Sequence, residues 1–331
     1  MASVSAINGV FSHVYIGGAR YLCLGAPSFS APNGQSFLPV AGSASPFLTQ
    51  YGVLVPVVNM TLLCRDFLAT STEGNPLSAT FLGYAQTRTA LPNYDVSSFG
   101  IAMPGSKPVG PGATDITNAG VAFTDGASIV LMYGTKIANW SISGSKNGVV
   151  TLNVTIVGTG FYQYDIATLG DAVNTRITAM MPTTSQCADP LWFPAFNFSE
   201  TSLANAVISF GINYSNNLDP DPGLNGTYFH NSQNAMGPSG TLALTLQPLS
   251  GIPGNHSGAS IGTATMVVTN PAASKTCTFA MNKIKSTNPY DRRGSMGRLT
   301  RTYNYLLGAD CNNLNAAAGD IIVITTSGFG T

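Results

Sequence analysis

One stretch of the sequence has the spacing of a nucleophile. Gly258-Ala259-Ser260-Ile261-Gly262 fits Gly-x-Ser-x-Gly, a pattern in which a sharp strand-to-helix turn exposes a serine for attack on an acyl carbon. That chemistry needs an acid and then a histidine further along the chain to take the serine proton. No histidine follows Ser260, and the segment leads into a strand-like run, Thr263 to Thr269. The match is read as accidental. His13, His230 and His256 are isolated from one another and lack metal-ligand spacing. Asp219-Pro220-Asp221-Pro222-Gly223 places two carboxylates two residues apart, but without the further oxygen ligands of a calcium loop it reads as a rigid turn. Neither a Walker-type phosphate loop nor a dinucleotide fingerprint occurs. The sequence therefore predicts no catalytic residue, no cofactor and no metal site, and the chain is expected not to be an enzyme.

Charge supplies the one strong cluster. Lys275, Lys283, Lys285, Arg292, Arg293, Arg298 and Arg301 are half of the 14 basic residues, opposed locally by Asp291 alone. Such a cluster can neutralise phosphates, with an affinity that falls steeply in salt. It can equally meet the carboxylates of a neighbouring subunit and fix the register of a contact. Aromatics of the stacking kind are few here, namely Tyr290, Tyr303 and Tyr305. The subunit interface is the preferred reading, with Lys283, Lys285, Arg292, Arg293, Arg298 and Arg301 as its candidate residues.

Cys23, Cys64, Cys187, Cys277 and Cys311 are far apart, odd in number and without CxxC spacing, so they are read as reduced thiols, mostly buried in strands. Seven Asn-x-Ser/Thr triplets begin at Asn59, Asn139, Asn153, Asn197, Asn213, Asn225 and Asn255. About five are expected by chance in a chain this rich in Asn, Ser and Thr, and several fall within strand-like runs where a glycan would obstruct packing. The N-terminal residues lack the basic and apolar regions of a signal peptide, and no run of 18 apolar residues occurs. Neither export nor membrane insertion is expected.

The elements that would position these residues are strands. Leu152, Val154 and Ile156 alternate with Thr151, Asn153 and Thr155; Leu242, Leu244 and Leu246 alternate with Thr241, Ala243 and Thr245. Ile208 to Tyr214 and Cys277 to Met281 repeat the pattern. One face is apolar and the other amide or hydroxyl, as in half-buried antiparallel strands. Further strands are expected at Val14 to Leu24, Val53 to Leu63, Ile129 to Tyr133, Ile137 to Ser143, Thr263 to Thr269, Leu299 to Leu307 and Ile321 to Thr325. Gly and Pro, at 36 and 20 copies, supply turns between them. The one predicted helix is Ile166 to Met180, and Met103 to Asn118 reads as a long loop. An echo between Val121 to Gly158 and Phe196 to Gly251 suggests two tandem β-sandwich units joined near Met181 to Pro190. Residues 1–185 and 186–331 are the expected domains of an all-β chain.

Composition adds a second theme. Only 8% of residues are charged and the formal net charge is zero, against roughly 25% charged in an ordinary domain. Weak repulsion between copies favours self-assembly.

Residues 190 to 326 resemble the tail tube proteins of long-tailed bacteriophages (siphophages). The resemblance is carried by Trp192-Phe193-Pro194 with Phe196 to Ser199, Asn205 to Tyr214, Asn217 to Asp221, Gly240 to Leu246, Cys277 to Lys285, Ser286 to Pro289, Arg298 to Leu307 and Ile321 to Thr325. It implies a structural virion protein that polymerises as stacked rings, trimeric if two units are fused and otherwise hexameric. It also implies a lumen through which DNA passes at genome ejection without specific binding, and contacts with tape measure and distal tail or terminator proteins. Assembly would take place in the host cytoplasm, with no membrane involved. The lumen is then expected to carry Asp, Ser, Thr and Asn, and the Met103 to Asn118 loop to reach an adjacent ring. The competing expectation is a virion surface decoration or host-binding β module.

Overall fold

The computed structural model of the chain describes residues 11–17, 19–31, 37–38, 47–48, 55–64, 74–87, 91, 94–95, 118–124, 128–145, 148–165, 193–198, 201–202, 207–221, 232–235, 237–247, 262–270, 274–287, 291–295, 298–309 and 321–328. The N-terminal strands are β1 (Phe11–Ile16), β2 (Ala19–Leu24), β3 (Ser28–Ser30), β4 (Phe37–Leu38), β5 (Phe47–Leu48) and β6 (Val57–Leu63). Helix α1 (Ala79–Thr87) follows, then β7 (Tyr94–Asp95), β8 (Asn118–Ala119), β9 (Val121–Thr124), β10 (Ser128–Tyr133), β11 (Lys136–Ser145), β12 (Thr151–Val157) and β13 (Gly160–Asp165). The C-terminal part contributes β14 (Phe193–Phe198), β15 (Thr201–Ser202), β16 (Val207–Ser215), β17 (Leu218–Asp221), β18 (Ser232–Ala235) and β19 (Ser239–Leu246). It ends with β20 (Gly262–Asn270), β21 (Lys275–Ser286), β22 (Asp291–Ser295), β23 (Arg298–Gly308) and β24 (Val323–Ser327).

The expected all-β class holds. Alternation is the cause: Leu152, Val154 and Ile156 are buried while Asn153 between them is exposed, and the same rule buries Leu242, Leu244 and Leu246. Three expectations change in detail. The strand expected at Val53 to Leu63 begins at Val57, since Val55 and Pro56 precede it outside the strand. Val14 to Leu24 is a hairpin and not one strand, because Gly17 takes the left-handed φ of 56° and turns β1 back onto β2, pairing Ile16 with Ala19. The strand expected from Ile321 starts at Val323, with Ile321 and Ile322 buried ahead of it. The helix expected at Ile166 to Met180 lies outside the described residues, as does the Met103 to Asn118 loop apart from Asn118 in β8.

Antiparallel pairing runs in the order β13–β10–β9–β1–β2–β6–β12–β11–β16–β19–β23–β21–β20–β14. Strands β3, β15, β22 and β24 are attached along it, and among the described residues the sheet does not close. At the β2–β6 step the pairing shrinks to Cys23 opposite Leu62, which makes that step a corner. The sheet folds over its own apolar face. Trp140 on β11 stacks on Tyr214 of the adjacent β16, with centroids 5.2 Å apart and planes at 14°. It also meets Phe279 at 6.1 Å, although β21 lies four strands away along the sheet. The join expected near residues 181–190 is outside the described residues. Strands from either side of it pair directly through β11 and β16, and their buried side chains form one cluster.

Helix α1 closes one end of this core, and the sequence reading did not anticipate it. Ser78 Oγ accepts from Phe81 N at 3.2 Å, a helix N-cap, and Leu77, Phe81, Leu82 and Ala85 are buried. A nine-residue helix is too short to persist alone. Burial of Leu77, Phe81 and Leu82, at ~1.5–3 kcal/mol each, is what holds it. Asn216, fully buried after β16, donates from Nδ2 to the carbonyls of Ala85 (2.9 Å) and Ile137 (2.7 Å) and so ties α1 to the sheet.

Candidate functional site: an amide and hydroxyl array

Four of the Asn-x-Ser/Thr triplets sit on consecutive strands of the sheet: Asn59-Met60-Thr61 on β6, Asn153-Val154-Thr155 on β12, Asn139-Trp140-Ser141 on β11 and Asn213-Tyr214-Ser215 on β16. A strand has period two, so each triplet sends its middle residue to one face and its outer two to the other. Met60, Trp140, Val154 and Tyr214 are all buried in the core. The amides and hydroxyls share the opposite face.

Because neighbouring strands run antiparallel, the same triplet reads in opposite directions on adjacent strands. The register places Thr61, Asn153, Ser141, Asn213 and Thr241 in one transverse row. Asn59, Thr155, Asn139, Ser215 and Ser239 form the next. Across β6 to β16, amide and hydroxyl therefore alternate in both directions. Cross-strand hydrogen bonds hold the pattern: Thr61 Oγ1 donates to Asn153 Oδ1 and Thr155 Oγ1 to Asn59 Oδ1, both at 2.7 Å. Asn153 Nδ2 donates to Ser141 Oγ at 3.3 Å and Asn213 Nδ2 to Thr241 Oγ1 at 3.1 Å. The face forms a trough of about 740 Å³, and among the described residues none that lines it is charged. Leu24, 39% exposed, and Leu306, 53% exposed, stand at its two ends.

Chance therefore does not fully account for the triplet count. Four of the seven are the footprint of one polar sheet face, and the usable signal was a buried apolar residue between Asn and Ser or Thr inside a predicted strand.

The basic residues chosen from sequence are spread along the length of one strand, from Arg298 at the start of β23 to Lys283 opposite Gly308 at its end. β22 and the C-terminal part of β21 both pair with β23, so Lys283, Lys285, Arg292, Arg293, Arg298 and Arg301 occupy three contiguous strand segments. Lys285, exposed, is the register partner of Leu306, beyond the end of the trough. Arg292 is the register partner of Arg301.

The remaining candidates do not converge. Ser260 lies outside the described residues and Gly262 opens strand β20, not a helix. His230 and His256 are outside as well, and His13 falls on β1. Asp219 is exposed on β17, which pairs with β18 as a two-stranded ribbon. Among the described residues no group of three or more His, Cys, Asp or Glu could hold a metal, and no helix is long and apolar enough to cross a membrane. Cys23, Cys64 and Cys277 are buried free thiols, as expected. Burial raises the Cys23 thiol to about 12 and moves Cys64 and Cys277 upward as well. Cys187 and Cys311 are outside the described residues. Compared with known proteins, the chain matches no family model and no curated protein.

Proposed function

We propose that this chain is a structural, non-enzymatic subunit that polymerises through its sheet margins as stacked rings, a phage tail tube protein. The observation that carries the reading is the long antiparallel sheet that, among the described residues, runs from β13 to β14 without closing. Strand margins are association sites, and joining the two ends of one copy to those of the next is a heterologous contact, which generates rings. Low charge removes most of the repulsion between copies. A wall along which DNA slides must not grip phosphates, so the basic residues on β21, β22 and β23 belong at contacts between subunits. There they would meet carboxylates of a neighbouring subunit and fix the register of the contact. The tube would reside in the virion tail after assembly in the host cytoplasm. The test is negative-stain microscopy of the purified protein beside the Arg292→Glu/Arg293→Glu variant. Filaments from the parent and discrete particles from the variant are expected, and normal tubes from the variant would refute the interface assignment.

A second reading, a virion surface or host-binding module, is favoured by one observation: the ordered amide and hydroxyl array described above. A module of that kind stays as discrete particles at concentrations where a tube protein grows filaments.

A further inference from the structure

We infer that the trough on β6, β12, β11, β16, β19 and β23 is a binding site for an extended, uncharged, polyhydroxylated chain: a neutral oligosaccharide lying across the strands. The site is complete within one chain, so the inference goes beyond the tube reading and does not depend on whether copies assemble.

Charge decides the ligand class first. Among the described residues none that lines the trough carries a charge, so none of them would hold a phosphate, a carboxylate or an ammonium against its loss of hydration.

Donor and acceptor balance decides next. Each asparagine amide offers two donors and one acceptor, and each hydroxyl one donor and further lone pairs. The cross-strand bonds use only part of this. Asn59 spends Oδ1 on Thr155 and keeps its Nδ2 donors, Asn213 spends one Nδ2 hydrogen on Thr241 and keeps Oδ1, and Thr61 spends its hydrogen on Asn153 and keeps lone pairs. Donors and acceptors therefore alternate along the floor at fixed positions. Sugar hydroxyls, which both donate and accept, can answer such a surface at every step, whereas a phosphate oxygen can only accept and an ammonium can only donate.

Dimensions decide the shape. Six strands span five inter-strand steps, roughly 24 Å at ~4.8 Å each. An extended chain of pyranose rings advances by close to one such step per ring, so successive rings would meet successive strands. The volume, about 740 Å³, falls in the range of small-molecule sites. At the ends, exposed Leu24 and Leu306 offer apolar surface to the C–H faces of terminal rings. A site built to satisfy ligand hydroxyls discriminates against ligands lacking them, because its own polar groups would be left dry and unpaired.

The test is titration of the full chain, as discrete particles at low concentration, with cellohexaose and with the β-1,4-linked hexamer of N-acetylglucosamine, followed by calorimetry. Maltohexaose serves as a curved comparator, and a Gly-Ser hexapeptide as a neutral peptide. Saturable binding of an extended oligosaccharide, at millimolar Kd or tighter, is expected. Asn153→Ala and Asn213→Ala should each weaken it about tenfold or more, and Thr241→Trp, which fills the trough from an exposed position, should abolish it. Thermal melting of each variant establishes that it is folded. Binding should be indifferent to salt, since no ion pair takes part. No saturable binding of either extended hexamer, binding unchanged by all three substitutions, or tighter binding of the peptide would overturn the inference. Particle form is read separately by microscopy: filaments or discrete particles decide between the tube and surface-module readings, whereas absence of binding in either form sinks the ligand assignment alone.

Discussion

Asn216 is the sharpest point at which to test how the end of the sandwich is held. Its side chain is fully buried, and its Nδ2 bridges the carbonyls of Ala85, in the last turn of α1, and Ile137, where the β11–β12 register shifts. Ala85 is among the last four helix residues, whose carbonyls have no intrahelical donor. Asn216→Ala strands two buried acceptors at about 1–3 kcal/mol each, a gross loss of roughly 2–6 kcal/mol. Against this, Asn216 Oδ1 is itself buried with no hydrogen-bond partner, and deleting it returns about 1–3 kcal/mol. The net loss is about 1–3 kcal/mol, or a fall in Tm of about 2–6 °C at about 2 °C per kcal/mol for a chain of this size. Asn216→Asp keeps the shape but points a carboxylate at two carbonyl oxygens, so it should be worse than alanine at pH 7. Burial without a donor would hold that carboxyl protonated in the fold to higher pH than in the unfolded chain. Its folded pKa is thus raised, and the Asp variant should regain stability as pH falls and lose it as pH rises. Thermal and urea melts followed by the fluorescence of buried Trp140 measure both effects. An alanine variant within about 0.5 kcal/mol of the parent, or an aspartate variant more stable than alanine at pH 7, would refute the account.

Three further outcomes are expected. Gly134 has a left-handed φ of 58°, and a Cβ there would collide with the Thr159 side chain; Gly134→Ala should cost about 1–3 kcal/mol, checked by the same melts. A Cβ at Gly160 would overlap the Tyr133 ring, so Gly160→Ala should lower Tm, with overpacking costing about 1–3 kcal/mol. The Cys23 thiol, raised by burial to about 12, contributes stability that is intact below the ordinary thiol range near 8.5 and lost as pH climbs towards the folded value. Denaturation midpoints between pH 7 and pH 10 should therefore fall less steeply in Cys23→Ala than in the parent, and equal slopes would contradict this.

Much of the fold was legible because a strand needs only local information. Leu152, Val154 and Ile156, or Leu242, Leu244 and Leu246, declare one buried face by alternation alone, and their burial follows. Helix α1 was not legible. Its buried residues Phe81, Leu82 and Ala85 make only a short apolar stripe, and Gly83 interrupts it, so the capping by Ser78 was the one local sign of a helix that tertiary burial stabilises. The Val14 to Leu24 hairpin was missed for a similar reason: a strand pattern continues through Gly17 unless its positive φ is known.

By itself the sequence determined that the chain is built of half-buried strands with one amide and hydroxyl face, and that half of its basic residues gather between Lys275 and Arg301. Tertiary structure alone decided which strands are neighbours. Triplets from residues 59, 139, 153 and 213 become one array only because β6, β12, β11 and β16 pair in that order with antiparallel registers. The physical reason is range: alternation is fixed by geometry within two residues, whereas pairing depends on burying one apolar face against strands that may lie anywhere along the chain.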